Sequence, residues 1–150
     1  MKLSTKGRYG LRALIGLALY SENETVSIQS IARRQNISDS YLEQLMRKLR
    51  SAGLIVSVRG AQGGYKLARP ANEISVGDVL RALEGSLEAV TCGGEDNSCQ
   101  GADLCVTKFV WERINSSIRD TVDSIKLSQL VEESRLMREK GQIQVQKCDN

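Results

Sequence analysis

The chain has 150 residues, of which 41% are hydrophobic and 26% are charged, a composition that is ordinary for a globular domain. No apolar stretch is long enough to cross a bilayer, and the amino terminus lacks the apolar core of a signal peptide, so we expect a cytoplasmic protein without membrane contact. Residues 1–70 carry 12 Lys and Arg against 4 Asp and Glu, whereas residues 71–150 carry 9 against 14. A basic amino-terminal half is typical of a chain that binds a polyanion such as nucleic acid.

The basic half contains the pattern of three helices followed by a hairpin. Apolar residues at helical spacing indicate a first helix over 5–20, Ser27 caps a short helix over 28–34, and a third helix covers 39–52. Two apolar runs flank the glycine-rich segment 59–64 and predict a β-hairpin. This order of elements predicts a winged helix-turn-helix, in which the hairpin is the wing.

The start of the third helix carries candidate DNA-reading side chains. Hydroxyl groups bind phosphate, a glutamine amide pairs with adenine, and a carboxylate accepts a hydrogen bond from cytosine N4. The candidates lie away from the apolar stripe of the helix and are Ser40, Tyr41, Glu43, Gln44 and Arg47. An alternative for two of them is a capping box, in which Ser40 begins the helix and Glu43 returns to a backbone N–H.

Arg59 and Gly60 are the candidates at the tip of the wing. An arginine in this position can enter the minor groove, where narrow A·T-rich DNA concentrates negative potential. We expect Gly60, Gly63 and Gly64 to let the backbone approach DNA closely. The wing is therefore predicted to contact double-stranded DNA.

Segment 92–105 holds three of the four cysteines, in a chain that contains no histidine. Cys92, Cys99 and Cys105 lie among Gly, Asp, Asn and Ser, whereas structural cysteines usually lie on apolar faces. In a reducing compartment, clustered thiols indicate a metal or cofactor site before they indicate a disulfide. Three thiolates suit an iron–sulfur cluster or another soft metal.

The second half is dominated by a long amphipathic helix that starts near Cys105, after a short helix over 76–83. Its apolar positions recur every three or four residues between charged flanks, which favours pairing with the same helix of a second copy. The residues that we expect to be buried between the two copies are Ile114, Ile118, Val122 and Ile125. A last helix over 128–138 precedes a polar tail, 139–150, which we expect to be disordered.

These motifs together resemble the IscR family of iron–sulfur cluster regulators and its winged-helix transcription-factor relatives. The resemblance runs from residue 1 to about residue 131, and it is most specific in SYLEQL, in the RGAQGGY hairpin and in the cysteine segment followed by VTKFVW. It implies a homodimer that holds a 2Fe–2S cluster on three cysteines and binds an operator in double-stranded DNA, mainly as a repressor of iron–sulfur biogenesis genes. By the same resemblance, the positions that match the family's DNA contacts are Ser40, Tyr41, Glu43, Gln44 and Arg59.

The fourth cluster ligand is where the chain departs from the family pattern. The best-known members have a histidine three residues after the last cysteine, and Lys108 occupies that position here. A protonated lysine has no lone pair to donate, so it is a poor ligand. Asp103, Cys148, water and a small thiol are the other candidates. Nitric-oxide-sensing relatives hold a larger cluster on three cysteines and a carboxylate, so a 4Fe–4S cluster is the alternative to 2Fe–2S.

The expected fold class is mainly α with a small β-hairpin wing, a winged helix-turn-helix domain plus a long dimerisation helix. The expected regions are a DNA-binding domain (1–85), a cysteine-rich cluster-binding loop (86–104), the dimerisation helix and following helix (105–138) and a disordered tail (139–150).

Two other functions compete with the cluster-dependent regulator. One is a zinc-stabilised DNA-binding module that also uses Cys148, although structural zinc sites favour closely spaced cysteine pairs. The other is a nitric-oxide-sensing or redox-sensing repressor of the same fold. We expect no enzymatic activity, because the chain has neither a Cys-x-x-Cys pair nor a histidine to act as a base.

Overall fold

A computed structural model of the protein describes residues 2–21, 24–91, 99, 101 and 104–141. Within these residues the elements follow in this order: α1 (Thr5–Tyr20), α2 (Ile28–Gln35), α3 (Asp39–Ser51), β1 (Ile55–Val58), β2 (Gly64–Leu67), a 3₁₀ turn (Ala71–Glu73), α4 (Val76–Glu84), α5 (Val106–Ser124) and α6 (Leu127–Glu139). None of the described helices combines the length and the apolar character needed to span a membrane. Most of the tail expected to be disordered, 142–150, lies outside the described residues.

Serine side chains begin the first four helices. Ser4, Ser27, Ser38 and Ser75 each accept a hydrogen bond from a backbone N–H two or three residues further on. The hydroxyl groups satisfy N–H groups that have no partner within the helix, and the residues before each helix are extended, so each helix starts at a defined position. The predicted amino-terminal helices and the hairpin are confirmed.

The main core lies where α1, α2, α3 and α4 meet, and α6 completes it. The side chains of Leu14, Leu17 and Leu45 are completely buried there. Leu127 and Val131 of α6 pack into the same cluster, and their helix is attached to the residues before α4 by backbone hydrogen bonds. The helix-turn-helix and α6 therefore form one packed unit.

α1 and α4 pack closely, and a carboxylate from α4 binds the start of α1. A Cβ added at Gly7 or Gly10 would overlap the side chain of Glu84 or Leu83, so glycine at both positions of α1 permits this approach. Glu84 Oε1 accepts hydrogen bonds from the N–H groups of Ser4 (2.9 Å) and Gly7 (2.8 Å) and from the Ser4 hydroxyl (2.7 Å). The negative charge at the amino terminus of α1 stabilises the helix.

Glu84→Gln tests this contact through its pH dependence. Partial burial raises the pKa of Glu84, but hydrogen bonds from Ser4 and Gly7 and the charge of Lys6 outweigh it, so the pKa falls below 4.5. Such a carboxylate stabilises the fold above its unfolded pKa, and the contribution is lost as the pH falls through the folded pKa.

We expect Glu84→Gln to be less stable than wild type by about 0.5–1 kcal/mol at pH 7, with the difference closing below pH 4.5. Urea unfolding between pH 7 and pH 3 measures it, with the exposed Glu88→Gln as the matched control. A difference that is equally large at pH 3 would contradict an electrostatic origin.

The wing is anchored to the helix-turn-helix by a third extended segment. β1 and β2 pair antiparallel, and β2 also pairs with Val26, which lies between α1 and α2. The Val26 N–H donates to the Tyr65 carbonyl (3.0 Å), and the Tyr65 N–H donates to the Val26 carbonyl (2.9 Å). The hairpin is therefore held against the domain on one edge.

Two of the wing glycines also meet a requirement within the chain itself. A Cβ on Gly64 would overlap the carbonyl of Val26, and one on Gly63 would overlap the carbonyl of Val58. Close approach of the backbone, within the wing at Gly63 and to the neighbouring segment at Gly64, therefore requires a residue without a Cβ at both positions. Gly60 alone of the three has a positive φ, 117°, with open space around it.

The apolar seam of α5 divides into two parts. Ile118, Val122 and the following Ile125 pack against residues of the same chain, namely Val76, Leu80 and Leu87. Each of these three side chains is only partly buried within its own chain, so their burial by a second copy stays a prediction. An ion pair between Arg81 and Asp123 and a hydrogen bond from the Val76 N–H to the Ile125 carbonyl hold the end of α5 in this position.

The first half of α5 and Leu104, which precedes the helix, expose their apolar side chains instead. The exposed fractions are 92% for Leu104, 86% for Val106, 65% for Phe109, 44% for Val110 and 38% for Ile114. We call these five residues the α5 apolar stripe. An exposed stripe of large apolar side chains is typical of a surface that another protein chain covers.

Candidate functional site

One face of α3 carries four of the predicted DNA-reading residues. Ser40, Glu43, Gln44 and Arg47 are exposed, and their spacing of three and four residues places them on one side of the helix. The opposite side packs into the core. The core thus fixes α3 with its polar face outward.

The capping box predicted as an alternative at Ser40 is wrong. Ser38 is the residue that caps α3, and its hydroxyl accepts a hydrogen bond from the Tyr41 N–H at 3.2 Å. Ser40 already lies inside the helix, so Glu43 is not the acid of a box that begins at Ser40. The capping interpretation therefore does not compete with a DNA contact for the Glu43 carboxylate.

Tyr41 differs from the other four candidates because it is half-buried against α1. Its hydroxyl lies 3.1 Å from the Thr5 Oγ1, and its ring meets the Tyr9 ring edge-to-face with centroids 6.1 Å apart. These contacts attach the start of α3 to the start of α1. Sequence reasoning did not identify Thr5 and Tyr9 as its partners, since helix periodicity does not say which helices meet.

Arg59 and Gly60 are exposed at the turn of the wing. The turn is held by hydrogen bonds from the Gly63 N–H to the Gly60 carbonyl (2.9 Å) and from the Thr25 hydroxyl to the Gln62 carbonyl (2.5 Å). The wing tip is thus supported by the residues that precede α2.

Positive charge accumulates on α2, α3 and the hairpin. The exposed basic side chains lie in α2, in α3, in the hairpin and directly after it. They are Arg33, Arg34, Arg47, Lys48, Arg50, Arg59, Lys66 and Arg69. Neutralisation of phosphates by such side chains supplies most of the sequence-independent affinity for DNA.

Two of the three predicted cluster ligands lie within the described residues. Cys99 and Cys105 are both exposed, and Cys105 is the residue that immediately precedes α5. Cys92, and the fourth-ligand candidates Asp103 and Cys148, lie outside the described residues. Among the residues that are described, no three potential ligands are grouped closely enough to hold a metal.

The surroundings of Cys105 favour a thiolate. The Thr107 hydroxyl, 3.0 Å from the Cys105 Sγ, and the backbone N–H groups of Lys108 and Thr107 lower the pKa of this thiol. A thiolate is the form that binds iron, and two exposed thiols are suitable donors for an iron–sulfur cluster. The Lys108 ammonium lies 3.9 Å from the Glu112 carboxylate, and an ammonium has no lone pair for a metal.

The fold, the outward polar face of α3 and the surrounding basic residues define a DNA-binding transcriptional regulator of the winged-helix class. The sequence profile of the Rrf2 family, described as an iron-dependent transcriptional regulator, matches residues 3–133. The chain belongs to the Rrf2 family.

Individual relatives agree with this assignment. The chain is 44% identical over 137 residues to the HTH-type transcriptional regulator IscR of Pectobacterium atrosepticum, a match that covers 91% of this chain and 83% of that protein. The structure of T. potens IscR matches with a TM-score of 0.73 and 44% identity, covering 96% of this chain and 93% of that one. CymR, the global cysteine regulator of B. subtilis, matches with a TM-score of 0.73 and 41% identity over 89% and 98% of the two chains.

The family resemblance and the fold class predicted from the sequence are confirmed by these matches. The relatives are transcriptional regulators, so the expectation that the chain is not an enzyme is confirmed as well.

Proposed function

We propose that the protein is an iron–sulfur cluster-dependent homodimeric regulator of the cytoplasm, which binds an operator in double-stranded DNA and mainly represses iron–sulfur biogenesis genes. One observation carries the proposal: the cysteine segment connects α4, which packs against α1 and α3, to α5, which carries the exposed apolar stripe. A ligand bound by this segment would therefore affect the positions of both the DNA-reading unit and the surface available to a second copy.

Cys92, Cys99 and Cys105 are the residues proposed to hold the cluster, which we expect to be 2Fe–2S. When bound, an iron–sulfur cluster supplies a redox-active group that is sensitive to oxidants and to the supply of iron and sulfide. A cluster held by these cysteines would tie the segment after α4 to the start of α5, so cluster occupancy would favour one arrangement of the two helices. A local ligand acts on a distant DNA-binding surface by such a shift of populations.

The α5 apolar stripe supports a homodimer. Val106, Val110 and Ile114 recur every four residues, which places them along one side of α5. Pairing of this side with its copy would remove the exposed side chains from water and place two α3 helices to read half-sites about 34 Å apart on the same face of DNA.

The test is anaerobic cluster reconstitution followed by DNA binding. Protein loaded with iron and sulfide should show the visible absorption of an iron–sulfur cluster and should bind the promoters of iron–sulfur biogenesis genes more tightly than the cluster-free protein. A colourless protein that retains zinc would favour the zinc-stabilised module. Cluster loss and release of DNA on exposure to nitric oxide alone would favour the nitric-oxide-sensing repressor.

DNA readout gives a separate prediction for α3 and the wing. Arg59→Ala should weaken binding and reduce its salt dependence, because a cation that contacts DNA releases counterions. Glu43→Ala should instead relax sequence preference by about 1–3 kcal/mol at one base pair, because a carboxylate disfavours bases that offer it only acceptors.

Titrations of matched and mismatched operators at several salt concentrations measure both effects. Arg119→Ala on α5 is the control for Arg59, since Arg119 is exposed and lies outside the winged-helix elements. Unchanged sequence preference in Glu43→Ala would show that Glu43 does not read a base.

A further inference from the structure

One side chain of α5 forms hydrogen bonds with the backbone of the segment that leads from α4 into the cysteines. Asn115 Oδ1 accepts a hydrogen bond from the Ala89 N–H at 2.8 Å, and its Nδ2 donates to the Val90 carbonyl at 2.9 Å. The oxygen and the nitrogen of the amide thus bond to the backbone of two adjacent residues, as the backbone of a neighbouring strand would. All three residues are partly buried.

A polar residue at position 115 is unexpected on packing grounds alone. Residues 111, 115, 118 and 122 follow a spacing of three and four, and Ile118 and Val122 of this series pack against Leu87 and α4. An apolar side chain at position 115 would continue this contact but would leave the Ala89 N–H and the Val90 carbonyl without their partner. An asparagine on an otherwise apolar stripe is a known means of fixing the register of two packed elements.

The attachment holds the chain just before the first cysteine. Cys92 follows Val90 by two residues in the sequence. The last cysteine, Cys105, precedes the first turn of the same helix α5. Both flanks of the cysteine segment are therefore fixed to one helix, the first through Asn115 and the second through the chain itself.

We propose that Asn115 is a positioning residue for the cluster, which holds the chain before Cys92 in register with α5 and thereby slows release of iron. This inference rests on the proposed function, because it presumes that the cysteines bind a cluster. Outer residues that orient metal ligands typically change metal affinity by 10-fold to 100-fold when they are replaced.

The experiment compares wild type with Asn115→Ala, Asn115→Asp and the control Ser117→Ala. The Ser117 hydroxyl bonds only to the Arg113 carbonyl of its own helix among the contacts that the structure describes, so its loss leaves the segment 89–90 untouched. Iron release to a chelator is followed by visible absorption after anaerobic reconstitution, and amide hydrogen exchange at Ala89 is measured in the cluster-free protein.

Asn115→Ala is expected to release iron about tenfold or more faster than wild type and to lose protection of the Ala89 N–H. Asn115→Asp keeps an acceptor for the Ala89 N–H, so hydrogen exchange at Ala89 should stay slow. It also places a carboxylate oxygen against the Val90 carbonyl, so iron should still be released faster than from wild type. Ser117→Ala should match wild type in both measurements. A global loss of stability would instead accelerate exchange throughout the core, which distinguishes it from the local effect.

Three outcomes overturn the inference. Wild-type protection of Ala89 in Asn115→Ala would mean that the attachment does not hold the segment in solution. Faster exchange of Ala89 with an unchanged rate of iron release would mean that the attachment does not position the cluster. A wild-type protein that takes up no iron and sulfide would overturn the proposed function and this inference together, whereas the first two outcomes leave the proposed function intact.

Discussion

Phe109→Glu should convert a homodimer into a folded monomer. Phe109 is 65% exposed in the single chain, so a charge there costs nothing in the core, but in a symmetric interface the substitution occurs twice. Loss of two buried phenylalanine contacts amounts to about 4 kcal/mol, which corresponds to roughly a thousandfold weaker dimer. Sedimentation velocity measures the change in mass, and circular dichroism checks that the helices remain.

Ile118→Glu is the matched variant on the covered part of the seam. Ile118 packs against α4 and Leu87 of its own chain, so a charge there should lower the melting temperature. The two variants are thus expected to separate association from folding, although they lie nine residues apart on one helix. A dimer that persists in Phe109→Glu, or an Ile118→Glu variant that dissociates with unchanged stability, would reverse the assignment of the two parts of α5.

Replacing any one loop cysteine by serine should abolish or sharply reduce the cluster. Serine has nearly the shape of cysteine but offers a hard hydroxyl oxygen in place of a soft thiolate, which iron in a cluster disfavours. Cys92→Ser, Cys99→Ser and Cys105→Ser are therefore expected to lose most of the bound iron and sulfide and the visible absorption. Cys148→Ser should retain the cluster, because the proposed site takes its fourth ligand from elsewhere.

Iron and sulfide per chain after anaerobic reconstitution give the measurement, and Asp103→Asn tests the nearby carboxylate as fourth ligand. Melting temperatures of the cluster-free variants are the control, since Cys99 and Cys105 are exposed and their replacement should leave the apoprotein unchanged. If Cys148 proves as necessary as the other three, the site has four cysteine ligands and the proposed three-cysteine site is wrong.

Local signals account for much of the fold. Serine at the start of helices, apolar residues at helical spacing and the glycines around the hairpin act over a few residues, so they can be recognised without knowing what lies nearby in space. They predict α1, α2, α3 and the wing within one or two residues of the bounds in the structure. The outward face of α3, with Ser40, Glu43, Gln44 and Arg47, follows from the same periodicity. Clustered thiols in polar sequence likewise indicate a metal site, though not its fourth ligand.

The sequence pattern does not show which surface packs against each helix face. The seam of α5 is continuous in sequence, but Ile118 and Val122 pack partly against α4 whereas Phe109 is exposed. Periodicity defines an apolar side of a helix and contains no information on whether the same chain or a second copy covers it. The same reason applies to Tyr41 with Thr5 and to Asn115 with the segment 89–90, where the contacts join residues far apart in the chain and exist only once the helices have packed.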